Sequence, residues 1–497
     1  MRAVWWRREK AFNRKGRKER LLFASFANFA VKAFTPHVYC KTDMERSRPE
    51  LARDLRLSHA LAVVVGTIIG SGIFLVPAEM IQAAGSAKLV YLAWLVGGLL
   101  SFFGALTYAE LGAMKPQAGG EYVYIRDGYG PLLGFLYAWT WFLIAKPASI
   151  ATLATGFVRV LGNFPSLSFL THNFLAVPFS ITYGQLVAVA AAILISILNY
   201  IGIKRAGTFQ LVFTFLKVFI ILSIVVIGFS YRGGSWQNFV GSFSGAKGGM
   251  AGFMAALVAA LWAYDGWNDL NMVSGEVRDP ERNIPLALIF GVALVGILYM
   301  MVNAAVQYVL PSNVIAGSQR PASDAMAVVL GSLGAGIVSA GMAISMLVAM
   351  NGTVMSGARV PFAVARDRYF FSALAEVHPR FHTPSVAIVV QAVLAIILLL
   401  LGGNFRQFFS LAIFAEWLFY MIAGSTVFVF RGRDPQAVRP YRVWGYPVVP
   451  ALFVLASAVL LYFTFTDNYP NSAFGGLVIL AGIPVFCGFA RRRSAEV

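Results

Sequence analysis

The sequence predicts an all-α polytopic membrane protein of twelve transmembrane helices, built as two inverted five-helix repeats followed by two extra helices. Three observations lead there. Of 497 residues, 58% are hydrophobic and only 12% charged, too little charge to cover the surface of a water-soluble chain of this size. The apolar residues gather in runs of about 18–25, the length a helix needs to cross ~30 Å of hydrocarbon. Two of those runs, the first and the sixth, are interrupted by glycine and polar residues, and paired interruptions in two halves mark an inverted repeat.

The predicted spans cover 58–83, 88–114, 131–158, 183–201, 206–229, 249–272, 285–310, 326–358, 384–401, 405–430, 447–465 and 473–490. The first repeat takes 54–230, the second 231–432, and helices 11 and 12 take 433–490. The longest connections, near 159–182 and 230–248, are short and rich in Gly, Ser, Asn and Pro, so no large soluble domain fits between spans. The net charge is +18, and its placement sets the orientation. Residues 1–53 hold 14 Lys/Arg against 5 Asp/Glu and read as a disordered cytoplasmic tail. With that tail inside, the cytoplasmic loops hold 13 Lys/Arg, and the 491–497 tail returns inside with Arg491, Arg492 and Arg493. Excess Lys/Arg on one side is the positive-inside pattern, so basicity here means topology in a cell membrane, not nucleic-acid binding. Met44 precedes a compact basic lead into the first span, which makes residues 1–43 read as sequence added by an upstream start codon, a surface helix or a loose tail. Cys40 and Cys487 sit in the tail and the last span and suit neither a disulfide nor a metal site.

The first span carries "GTIIGSGIF" (66–74), with Gly66, Gly70 and Gly72 around Thr67 and Ser71. Small residues at four-residue spacing let helices pack closely, and Gly66 and Gly70 fit that reading. Gly72 falls off the row, so Gly70-Ser71-Gly72 reads as a break in the helix. Unpaired backbone at mid-membrane is tolerated only where it lines a cavity or binds something. The N–H end of the following half-helix suits a carboxylate, and the carbonyl end of the preceding half suits an ammonium or a metal cation. An α-amino acid would use both. Five spans on, "LWAYDGWNDLN" (261–271) places Asp265, Gly266, Asn268 and Asp269 in an apolar run. It reads as the partner break, or as a helix end at the membrane surface.

Charges in lipid cost at least ~2.5–3.5 kcal/mol and therefore face a cavity, a partner or the bundle interior. Lys146, Lys217, Asp265 and Glu416 qualify. Lys217 reads as a fixed cation bridging the unwound first span and the eighth, or as a snorkelling side chain. Lys146, before Pro147, reads as a gate or packing residue ahead of a ligand contact. Asp265 either attracts a substrate ammonium or caps the broken helix. Glu416 is a hydrogen-bond partner across helices or a proton carrier. Glu110 and the segment "EVRDPERN" (276–283) read as gate salt bridges or solvated ends.

Several motifs in order carry a resemblance. "GTIIGSGIF" resembles the first-span signature of the amino acid–polyamine–organocation superfamily. "LTYAELGAMKPQAGGEYVYIRDGYG" (106–130), "KPAS" (146–149), "AYDGWNDLNMVSGEVRDPERNIPLA" (263–287) and "RPYRVWGYP" (439–447) resemble its L-type amino acid transporter branch, from about 55 to 490. The resemblance implies a LeuT-type fold with an amino acid bound between the broken first and sixth helices. It implies binding by Thr67, Ile68, Gly70, Ser71 and Gly72, by Trp262 as an aromatic lid, by Ala263 and Asp265, and by Asn351 as a polar residue of the eighth span. Lys217, in "FTFLKVF", matches a lysine near the place where sodium-coupled relatives hold sodium, which implies sodium-independent transport with no metal and no cofactor. Animal members attach a single-pass subunit through a cysteine between the third and fourth spans. "GNFPSLSFLTHNFLAVPFSIT" has none, which implies a solitary carrier without a disulfide-linked heavy chain. Glu416 departs from the pattern, which leads one to expect an uncharged residue.

The function expected is a secondary transporter of amino acids by exchange or proton-linked alternating access. The alternatives are a polyamine or cationic amino acid carrier, for which Asp265 and Glu416 would supply counter-charge, and a non-transporting sensor of the same fold. A membrane enzyme is disfavoured, because the five histidines (37, 59, 172, 378 and 382) lie in the tail, loops or span ends without catalytic or metal spacing.

Overall fold

The computed structural model describes residues 50–162, 164–175, 181–401, 405–467 and 469–496. The tail through residue 49, with the expected disorder and the Met44 start, lies outside the described residues, as does Cys40. Every predicted span contains a helix. The first is split into α1 (Leu57–Ile68) and α2 (Gly72–Ala84). The second is α3 (Ala87–Met114), and a short helix, α4 (Glu121–Tyr129), leads into the third. That third span joins α5 (Pro131–Thr140) to α6 (Lys146–Leu161) through a widened π turn, Trp141–Ala145. A small hairpin, β1 (Asn173–Leu175) with β2 (Ile181–Thr182), precedes α7 (Tyr183–Tyr200) and α8 (Ile203–Phe229).

The second half repeats the theme. α9 (Gly249–Ala263) ends abruptly and the chain resumes as the single turn α10 (Asp269–Met272). Then come α11 (Pro280–Val309), α12 (Ser312–Gly317), α13 (Pro321–Gly357, kinked at Gly331) and α14 (Arg359–Arg366). α15 (Ser385–Leu400), α16 (Phe405–Arg433), α17 (Val448–Asp467) and α18 (Tyr469–Glu496) complete the chain. Outward positions such as Phe215, Val226 and Leu194 are more than 60% exposed, which is stable only in lipid. This is a multi-pass membrane protein.

The sixth span differs from expectation. Hydropathy carries it to residue 272, but its helix stops at Ala263. Leu270, Met272 and Val273 are fully buried against protein rather than lipid, so their hydrophobicity belongs to a core. Asp269 is buried too, and Gly266 (φ 103°) packs against Thr67 of α1. A helix end at the membrane surface does not describe this segment. It is a break inside the bundle, facing the break in the first span, as the LeuT-type fold implies.

The basic end of the bundle is closed by buried ion pairs. Arg359 grips Glu276 through two bonds of 2.8 and 3.0 Å, both side chains fully buried. Glu110 takes a fork from Arg431 at 2.9 and 2.7 Å and the Val443 N–H at 2.7 Å. Leu55 bridges to Val277 beside an Arg278–Asp54 pair. Of the two readings, salt bridges describe Glu110, Glu276 and Arg278, while Asp279, Glu281 and Arg282 are exposed, as solvated ends would be. Removing one partner of such a pair strands a buried charge at a cost of about 3–5 kcal/mol. Arg359→Ala is therefore expected to lower the thermal unfolding midpoint in detergent sharply. Arg359→Met with Glu276→Met should recover much of the loss, and equal losses in the single and double variants would contradict this account.

Candidate functional site

Residues 69–71 have left the helix between α1 and α2, with Ile69 at φ −72° and ψ 82°. Four carbonyls here lose their helical partners, and the protein supplies others from behind. Lys217 Nζ, 1% exposed, donates to Gly66 O and Ile69 O at 2.6 Å each. Ser345 Oγ donates to Ile69 O at 2.7 Å and to Gly70 O at 3.2 Å. Tyr299 OH lies 3.0 Å from both Ile68 O and Ala263 O, tying the two breaks together. The sequence reading offered these carbonyls to a ligand ammonium. Several instead hold the break open, and Lys217 does so on the first span alone, the eighth contributing through Ser345. At the other end, α2 begins without a side-chain cap, so its first N–H groups stay free, as at any uncapped helix start.

These elements enclose a cavity of ≈ 80 Å³. It is lined by Thr67, Ile68, Gly70, Ser71 and Gly72 from the first break and by Trp262, Ala263, Asp265, Gly266 and Asp269 from the second. Lys146, Ser149, Thr152 and Leu153 of α6, Ala349 and Thr353 of α13, and Glu416 of α16 complete it. By the measure on which one water needs ~10–15 Å³, this is room for about six waters, comparable with the heavy atoms of a small amino acid. The hydroxyls of Thr67, Ser71 and Thr152 are buried and have no hydrogen-bond partner among the described residues. Buried polar groups are normally paired, so three orphans in one cavity point to a polar occupant.

Charge gathers at the far wall. Lys146 Nζ meets Asp269 Oδ1 at 2.5 Å, with side-chain exposures of 6% and 0%. It follows directly on the π turn, a device that commonly sits at functional sites. Tyr420 OH donates to Asp265 Oδ1 at 2.7 Å and lies 3.1 Å from Asn268 Oδ1. Asn268 Nδ2 in turn donates to Glu121 Oε1 at 3.0 Å, whose other oxygen accepts from Tyr137 OH at 2.5 Å. Neither reading of Asp265 includes this bond from Tyr420.

Ten of the twelve residues singled out from sequence line the cavity. Lys217 stands behind it. Asn351 does not reach it and instead ties three helices, accepting from Asn199 Nδ2 at 2.8 Å and donating to Gln210 Oε1 at 2.7 Å and Ala206 O at 3.1 Å. Helical geometry explains this: Ala349 and Thr353, four apart, share the cavity face, and residue 351 points about 200° away. The reading placed Asp269 in the second break without giving it a role at the site, and it missed Thr152 and Thr353. Lys146, Ser149 and Leu153 fall in one i, i+3, i+7 row, a signal that would have drawn attention to this face of α6.

Residues 55–488 match the family model for amino acid permeases. The serine/threonine exchanger SteT of Bacillus subtilis is 32% identical over 450 residues, covering 90% of this chain and 98% of that protein. The human cystine/glutamate transporter is 30% identical over 457 residues, 92% of this chain and 89% of its own. The human b(0,+)-type amino acid transporter 1 is 31% identical over 431 residues, 84% and 83% of the two chains.

Proposed function

The chain belongs to the amino acid permease family, and on that premise we propose that it exchanges small amino acids across the cell membrane without sodium. The carrying observation is the pair of facing helix breaks around one cavity, with the uncapped α2 terminus on one side and carbonyls held from behind on the other. The substrate carboxylate takes the N–H groups at 71–73, where the helix dipole favours negative charge. The ammonium faces the carbonyl-bearing ends of α1 and α9. Trp262 covers the occupant beside Gly72. The small cavity and its free hydroxyls fit a short or hydroxylated side chain, in keeping with a relative named as a serine/threonine exchanger. Both termini are cytoplasmic by the placement of Lys and Arg, so the Glu276–Arg359 and Glu110–Arg431 pairs close the cytoplasmic side. The loop between the third and fourth spans has no cysteine, which fits a carrier without a disulfide-linked subunit.

The test is uptake into proteoliposomes of serine, alanine, leucine, arginine and putrescine, with and without internal amino acid and with choline in place of sodium. Uptake of the small amino acids that needs an internal amino acid and ignores sodium is expected. Accumulation in vesicles with no internal amino acid would replace exchange by a driven mechanism. The second reading, a carrier of cationic amino acids or polyamines, rests on Asp265 and Glu416 in the cavity wall, and preferential uptake of arginine or putrescine would favour it.

A further inference from the structure

Three carboxyls line the cavity, those of Asp265, Asp269 and Glu416, and one ammonium, that of Lys146. Lys146 is bonded to Asp269, so that pair is internally neutral. Asp265 and Glu416 are left. Glu416 is 5% exposed and forms no hydrogen bond among the described residues. One turn further along α16, Tyr420 reaches Asp265, so Glu416 and the hydroxyl that holds Asp265 sit on the same helical face. The charged groups that act on Glu416 are Asp265 and Asp269 of the second break, Lys146 of α6 and Glu121 of α4. Carboxylates outnumber cations in that set. Two like charges beside a lipid-embedded cavity do not both stay ionised without a counter-charge, and a zwitterion with a neutral side chain brings no net charge. The unpaired hydroxyls of Thr67, Ser71 and Thr152 mark the same cavity as one built to hold a polar ligand.

We infer that Glu416 and Asp265 form a site for one positive charge at the side-chain end of the cavity, filled by a proton under a neutral substrate and by the side-chain ammonium of a short diamino acid. The proton is held on a carboxyl oxygen of the pair. It leaves to water when the diamino acid enters and returns when a neutral amino acid replaces it. This rests on the exchanger reading and gives it a specificity-determining pair. It also predicts that an inward neutral amino acid, travelling with its proton, can exchange for an outward diamino acid with no net movement of charge.

Homoserine and α,γ-diaminobutyrate test it, because they have the same shape and differ by a hydroxyl against an ammonium. Exchange of each is followed in proteoliposomes with internal and external pH lowered together, and equilibrium binding of each to the detergent-solubilised full chain is measured over the same range. In the wild type, lowering the pH should raise homoserine exchange and binding, which need the proton, and depress those of diaminobutyrate, which competes with it. Glu416→Gln should lower diaminobutyrate relative to homoserine by about tenfold or more and flatten both pH slopes. Asp265→Asn serves as the second variant, and the wild-type slopes require no variant at all. Parallel slopes for the two substrates, or a sodium requirement for homoserine, would overturn the charge site while leaving exchange intact. Opposite slopes in binding without any exchange would keep the charge site and remove the exchanger reading. Failure to bind either compound would remove both.

Discussion

Lys217→Ala is expected to slow amino acid exchange by on the order of 10²-fold or more, with the protein still inserted and folded. The lysine is buried and its amino group donates to Gly66 O and Ile69 O, the carbonyls where α1 gives up its helical pattern. Leaving a buried acceptor without its donor costs about 1–3 kcal/mol. Losing both bonds therefore removes on the order of 3 kcal/mol from the unwound conformer, and a factor of ten corresponds to ~1.4 kcal/mol. The first span would then rewind or wander, and a ligand that needs the unwound form binds with its affinity reduced by the fraction still competent. Insertion should survive because α8 keeps Gln210 and Thr214 against Ala62 O and its lipid-facing surface is untouched. Exchange per reconstituted carrier, with size-exclusion behaviour as the folding control, gives the answer. A variant that turns over at the wild-type rate, or a wild type with steep sodium dependence, would remove Lys217 from this role.

What could be read in the sequence followed from local chemistry. The first break was legible because glycines and hydroxyls in an apolar run conflict with an uninterrupted helix, and the Asp-Gly of the second because glycine permits the positive φ that Gly266 adopts. The ionic closure could be foreseen at Glu110 and in the 276–283 segment, yet its partners Arg359 and Arg431 lie 83 and 321 residues away, and nothing local pairs them. The same distance hid the pairing of Asp269 with Lys146, which spans 123 residues. Asn351 was placed at the site by family pattern, and only the helical phase of α13 shows that it faces away. The end of the sixth span was misjudged for a different reason. Hydropathy measures dislike of water and does not tell lipid from a protein core, so Leu270 and Met272 extended a span they are not part of.

Gly72→Val should abolish substrate binding. The physical reason is more specific than the break alone. A Cβ at residue 72 would lie 2.8 Å from both Cα and Cβ of Ala263 and 3.5 Å from the Trp262 ring. The atom in the way is backbone of the opposing broken helix, not the tip of a mobile side chain. Inserting one methyl into tight packing costs about 1–3 kcal/mol, and valine adds two more carbons and a β-branch. The two breaks would be forced apart exactly where Tyr299 holds Ile68 O and Ala263 O together, and the cavity between them would lose its shape. Gly70 supplies the comparison within the same motif. A Cβ there would meet nothing closer than 3.6 Å, so Gly70→Ala should cost far less than Gly72→Ala, although both lie at the break. If glycine were needed at both positions only for backbone freedom, the two alanine variants would suffer alike. Binding of serine to the purified protein, measured for Gly70→Ala, Gly72→Ala and Gly72→Val beside the wild type, separates these accounts. A graded loss confined to position 72 is the outcome that close approach of the two helices requires, and normal serine binding by Gly72→Val would refute the site itself.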